Sequence, residues 1–127
     1  MIVSNLYIAL TPKKGRGVFT NTFIAAETVI EIAPVIIMPN TDRENLDKTL
    51  LHDYIFEWGH AKTHCCMALG IVPIYNHSYQ SNCDYLMDYE NQTIIIQVVK
   101  DVQAGQELTI NYNGDSNDSS KIWFEAN

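Results

Sequence analysis

The eleven residues YNHSYQSNCDY, 75–85, lie between two apolar runs, GIVPI at 70–74 and TIIIQVV at 93–99. Three tyrosines, two asparagines, two serines, a glutamine, a histidine and a cysteine crowd into a stretch whose neighbours both read as interior. Hydrogen-bonding groups in that number beside core strands are costly unless something partners them, and the run itself does not say what.

Working outward, CMALGIV (66–72), CDYLMDYE (83–90), TIIIQVVKDV (93–102) and LTINY (108–112) read as short strands. YENQTI supplies a polar hairpin turn, and DVQAGQEL a second one around Gly105. Upstream, VSNLYIAL is a strand, TPKKGRG a two-glycine turn and VFTNTFI a second strand. AAETVIEIAPVIIMP continues in β-branched residues, and Pro34 and Pro39 assign it to edges or strand ends. Helical character is confined to TDRENLDKTLLHDYIFEW. There Thr41 and Glu44 have capping-box spacing, and Leu46, Leu50, Leu51 and Tyr54 recur at helical intervals, which predicts a helix over 42–53. The chain is expected to be a mostly β domain of many short strands with one short helix.

The chain has 127 residues, enough for one hydrophobic core and no second. Its net charge is −7, unevenly spread: residues 1–63 hold 7 acidic and 6 basic side chains, residues 64–127 hold 8 and 2. No basic stripe exists to displace counterions, so direct nucleic-acid binding is not expected, and a lysine-rich partner suits the acidic half better. MIVSNLYIAL has neither a basic n-region nor a long apolar stretch, so neither a secretion signal nor a membrane span is read there. Three cysteines, two of them adjacent, fit a reducing compartment, and the expected location is cytoplasmic, or nuclear in a eukaryote. His60, His64, Cys65, Cys66 and Cys83 lack the paired spacing of a zinc site, and no metal is expected.

Three segments in order then carry the function: GRGVF at 15–19, NHSYQSNC at 76–83 and GQELTINY at 105–112. Singly each is weak. Together they closely resemble the three signatures of the SET-domain protein-lysine methyltransferases, and the resemblance spans the chain to about residue 114. It implies a β-clip-like fold of several small curved sheets, in which the second and third segments pass one another as a pseudoknot-like crossing whose buried backbone the short polar side chains of 76–83 would satisfy. The core would occupy 1–114, with 115–127 a tail that closes the cofactor and lysine site.

The resemblance further implies that Lys14, Gly15, Arg16 and Gly17 present backbone groups to S-adenosylmethionine. Asn76 and His77 would bind its amino-acid end and adenine, and S-adenosylhomocysteine would be the product. Tyr112 matches the tyrosine near the transferred methyl group, and Tyr85 one that lines the lysine channel. Ile110 stands where the family often has phenylalanine or tyrosine. An isoleucine holds no water against a second methyl, so methylation is expected to pass the mono state. Tyr54 is a further candidate for the channel, and Trp123 or Phe124 for stacking on adenine.

The chain departs from the family in Ser81 for proline, Tyr79 for cysteine and Asn111 for aspartate, and it lacks the cysteine-rich zinc segment of many members. The implied activity is methyl transfer to a lysine of a basic protein or peptide, by a chain that can work as a homodimer. The competing reading is a module of the same fold that binds peptide or cofactor without turnover.

Overall fold

The computed structural model describes residues 1–59 and 61–112. Apolar alternation builds its strands, most plainly in TIIIQV, where Ile94, Ile96 and Val98 are fully buried and the residues between them are not. In chain order the strands are β1 (Leu6–Leu10), β2 (Arg16–Thr20), β3 (Val29–Pro39), β4 (Phe56–Trp58), β5 (His64–Ala68), β6 (Asn76–His77), β7 (Cys83–Asp88), β8 (Thr93–Val98) and β9 (Glu107–Ile110). Between β3 and β4 lie α1 (Asn40–Leu46) and a 3₁₀ turn (Leu50–Asp53), and a second 3₁₀ turn (Val72–Ile74) precedes β6.

Hydrogen bonds run along the path β1-β2-β9-β7-β8-β3-β5-β4, with β6 also paired to β9. Small sheets are linked where one strand serves two of them. β3 pairs with β8 through Pro34 and with β5 from Val35 onward, and β9 joins β2 to β7. Val18, Ile30, Ile94, Ile96, Val98, Val102, Leu108 and Ile110 fill the core between them.

Three sequence expectations need correction. The helix over 42–53 is two pieces. α1 starts directly after Pro39, with no side-chain cap from Thr41, and stops at Leu46; Thr49 Oγ1 then accepts the Leu51 N–H at 3.2 Å to start the 3₁₀ turn. The apparent core stripe is not one, since Leu50 is 76% and Leu51 42% exposed. Phe56-Glu57-Trp58, read as part of that segment, is a strand. Pro34 lies inside an eleven-residue strand rather than at its end. It is tolerated because the partner changes there: Pro34 pairs with Thr93, the first residue of β8, and needs to give no N–H beyond it.

All three cysteines are free and buried. Burial pushes the Cys66 and Cys83 thiols up to about 12, so both stay protonated and unreactive. Among the described residues no group of three or more metal-ligating side chains is assembled, and no helix is long and apolar enough to cross a membrane.

Candidate active site

β9 is the hub. One of its edges takes β2 at Glu107 and Leu108 and then β6, in parallel, at Thr109 and Ile110; the other takes the start of β7, with Cys83 opposite Ile110. His77 and Cys83 therefore flank the same residue, and 78–82 carries the chain across β9 from one edge to the other. The polar side chains of the opening segment do the work expected of them. Asn82 donates to the Glu107 carbonyl at 2.9 Å and accepts the Thr109 N–H at 2.9 Å. His77 Nδ1 accepts the Tyr112 N–H at 3.0 Å. That bond needs a neutral imidazole, and burial, with the Lys14 charge nearby, holds His77 below its ordinary pKa.

Against this crossing lies the β1–β2 turn. Lys14 Nζ donates to the His77 carbonyl at 2.7 Å, and Asn76 Nδ2 donates both to the Arg16 carbonyl at 3.1 Å and to Glu107 Oε2 at 2.8 Å. The two glycines differ in purpose. Gly15 has φ +68 and open space where a Cβ would stand, so it serves the turn and leaves its backbone approachable. At Gly17 a Cβ would run into Glu107 Oε2, Asn76 Nδ2 and Thr11 Cγ2, so glycine there lets the turn press onto the crossing.

These groups fit the amino-acid end of S-adenosylmethionine. With both amide hydrogens of Asn76 engaged, its Oδ1 is left to accept an ammonium, while Lys14 and the exposed Arg16 bring positive charge for a carboxylate. His77 Nε2 is buried and without a partner among the described residues, a polar atom awaiting one on this side of the crossing.

A narrow cleft is lined by Asp53, Tyr54, Ile55, Phe56, Pro73 and Tyr112. Its walls are apolar and aromatic apart from Asp53. Phe56 stands edge-on to both Tyr85 and Tyr112, with ring centroids 5.1 and 6.3 Å apart. The Tyr112 hydroxyl donates to the Tyr75 carbonyl at 3.0 Å, and the Tyr85 hydroxyl to the Tyr112 carbonyl at 2.8 Å. Burial pushes both phenols well above their ordinary range, with Tyr54 and Asp53 adding to the rise at Tyr112.

Lys14, Gly15, Arg16, Gly17, Asn76, His77, Tyr112, Tyr85 and Tyr54 are thus gathered around one crossing. Ile110 is fully buried in the core and does not line the cleft. Trp123 and Phe124 lie outside the described residues. Sequence reasoning missed Glu107, Phe56, Pro73 and Asp53. The glutamate was legible in ELTINY as the one charged residue of its strand; the other three come from a misassigned helix end and an apolar run.

The SET domain family profile matches residues 15–113. A Schizosaccharomyces pombe protein named "Histone-lysine N-methyltransferase, H3 lysine-37 specific" is 34% identical over 126 residues, covering 98% of this chain and 80% of that protein. A solved Plasmodium falciparum structure, provisionally named as a histone methyltransferase, superposes with a TM-score of 0.67 at 27% identity, covering 87% of this chain and 95% of that one. With a mostly β fold, a crossing built on β9 and a match over most of its length, the chain belongs to the SET domain family.

Proposed function

We propose that this chain is an S-adenosylmethionine-dependent protein-lysine N-methyltransferase. The observation that carries the reading is the position of Tyr112. Its backbone N–H is held by His77, one of the residues proposed to hold the cofactor, and it also lines the aromatic cleft proposed to admit the lysine.

The chain's own groups account for most of what the reaction requires. A lysine amine has a reference pKa near ~10.4 and must lose its proton before it can act as a nucleophile. Tyr54, Ile55, Phe56 and Pro73 offer walls that replace water around it and disfavour the ammonium. When bound, S-adenosylmethionine supplies a methyl group on a positively charged sulfur. The amine nitrogen would bond to that carbon while the carbon–sulfur bond breaks, the sulfur keeping the electron pair and the methylated amine giving up a proton to water.

Tyr112 is no general base in this scheme. Its phenol is held protonated by burial, and its hydrogen is given to the Tyr75 carbonyl. The hydroxyl oxygen keeps lone pairs that can accept an amine N–H and fix its direction. Alignment of this kind can supply several kcal/mol of a barrier, within the ~7–11 reached in well-oriented systems.

The proposed substrate is a lysine of a basic, histone-like protein. The net charge of −7, concentrated in residues 64–127, supports this, as does the histone specificity in the name of the fission-yeast relative. The test is methyl transfer from labelled cofactor to a panel of basic proteins that includes histone H3, with Tyr112→Phe alongside. Transfer that falls at least about tenfold in the variant supports the reading. Cofactor binding without transfer to any member would instead support a binding module.

A further inference from the structure

Glu31 lies in β3 within VIEIA, an acid between two isoleucines, and it is fully buried. A carboxyl in such surroundings is costly unless its oxygens are partnered, and burial pushes it above the usual carboxylate range. Oε2 accepts the Ile71 N–H at 2.9 Å. Oε1 has no hydrogen-bond partner among the described residues. The carboxyl also lies close to the hydroxyl of Tyr75, which is likewise fully buried and without a partner in hydrogen-bonding geometry among the described residues. The chain is pressed directly on this carboxyl, for a Cβ on Gly70 would collide with Oε2.

The segment so held contributes Pro73 to the cleft lining. From Ile71 it passes through the 3₁₀ turn, whose Pro73 lines the cleft, to Tyr75, whose carbonyl receives the Tyr112 hydroxyl. Glu31 touches that segment at both ends, by backbone at Ile71 and by side chain at Tyr75, and touches no part of the cleft itself. We infer that Glu31 is a positioning residue for Tyr112: it grips 71–75 from inside the core and so fixes the carbonyl that aims the Tyr112 hydroxyl. This role presupposes the lysine methyltransferase activity proposed above.

The experiment measures kcat and both KM values for Glu31→Met, Glu31→Gln and Tyr75→Phe, each in the wild-type and the Tyr112→Phe background. Glu31→Met should lower kcat about tenfold while the cofactor KM stays within about twofold. Glu31→Gln, whose Oε1 can still accept from Ile71, should return kcat to within about threefold of wild type. Neither Glu31→Met nor Tyr75→Phe should cost more than about twofold once Tyr112 has lost its hydroxyl, because the route of action is gone. Equal losses in both backgrounds, or a loss in cofactor KM alone, would overturn the assignment in favour of a purely structural acid. If Glu31→Met does not fold, Tyr75→Phe, which keeps the carbonyl and the ring, decides by the same comparison. A readout without turnover separates this role from the activity itself: in protein labelled with ¹³C-tyrosine, the Tyr112 ring resonances should shift in Tyr75→Phe and hardly in Glu31→Gln. Unmoved resonances in Tyr75→Phe would refute the positioning role, whereas shifted resonances there, with a wild-type protein that methylates nothing, would uphold it and refute the activity.

Discussion

Replacing Gly17 with alanine tests the contact that joins the β1–β2 turn to the crossing. The added methyl group would meet Glu107 Oε2 first, with Asn76 Nδ2 and Thr11 Cγ2 each at 3.0 Å. Glu107 cannot step aside freely, because Asn76 Nδ2 donates to it at 2.8 Å and the same nitrogen holds the Arg16 carbonyl. Turning the carboxylate away breaks a charge-assisted bond of about 1.5–3 kcal/mol. Leaving it in place crowds the turn at about 1–3 kcal/mol. Either response puts the cost of Gly17→Ala at about 1–3 kcal/mol. Gly15→Ala offers the contrast: nothing stands within 4 Å, and the left-handed φ of +68 costs about 1–2 kcal/mol alone. Urea unfolding at constant m reads both. The decisive comparison repeats Gly17→Ala in a Glu107→Ala background, where its penalty should fall by at least about 1 kcal/mol. An equal penalty in both backgrounds would refute the collision with Glu107 as its cause.

Other outcomes follow from the same geometry. Asp53→Asn, at an exposed position on the cleft, should raise the KM of a lysine peptide about fivefold with kcat little changed, and should flatten the salt dependence of KM; a change confined to kcat would count against recruitment by charge. His77 has a depressed pKa in the folded state, so its contribution to stability is complete above the unfolded value near ~6.5 and is lost as pH falls through the folded one. Glu31, whose pKa is raised, works in the opposite sense, its contribution present at low pH and lost as pH rises through its folded value. Wild type should therefore lose stability relative to His77→Gln in urea titrations taken from pH 7.5 down to 5, and a constant difference between the two would refute the sign.

What the sequence revealed, and what it hid, divides along physical lines. The crossing was legible through the resemblance of three ordered segments, and its polar side chains Asn82 and His77 meet the backbone need it implied. The β1–β2 turn was legible from its glycines. The cleft walls were not, because leucines at 46, 50 and 51 imitate a helical stripe although the chain breaks after Leu46 and restarts at Thr49. β6 has two residues, too few to show a period. Glu31 was overlooked for a different reason: a single acid in a β-branched run leaves the strand pattern intact, and its partners Ile71 and Tyr75 lie some forty positions away.

The crossing at Ile110 also orders events in time. Residues 76–83 leave the ribosome well before 107–112, yet their parallel pairings with β9 need that later segment in place. A nascent chain that has emerged only to residue 106 has no acceptor for the Ser78 N–H, which the Ile110 carbonyl takes at 2.9 Å, and nothing for Asn82 to bridge. Closing such distant pairs late makes folding slow and leaves polar loops and bare strand edges waiting in the interim. The crossing therefore takes shape only once residues 107–112 have emerged, with the polar loop of 78–82 waiting for the strand it spans.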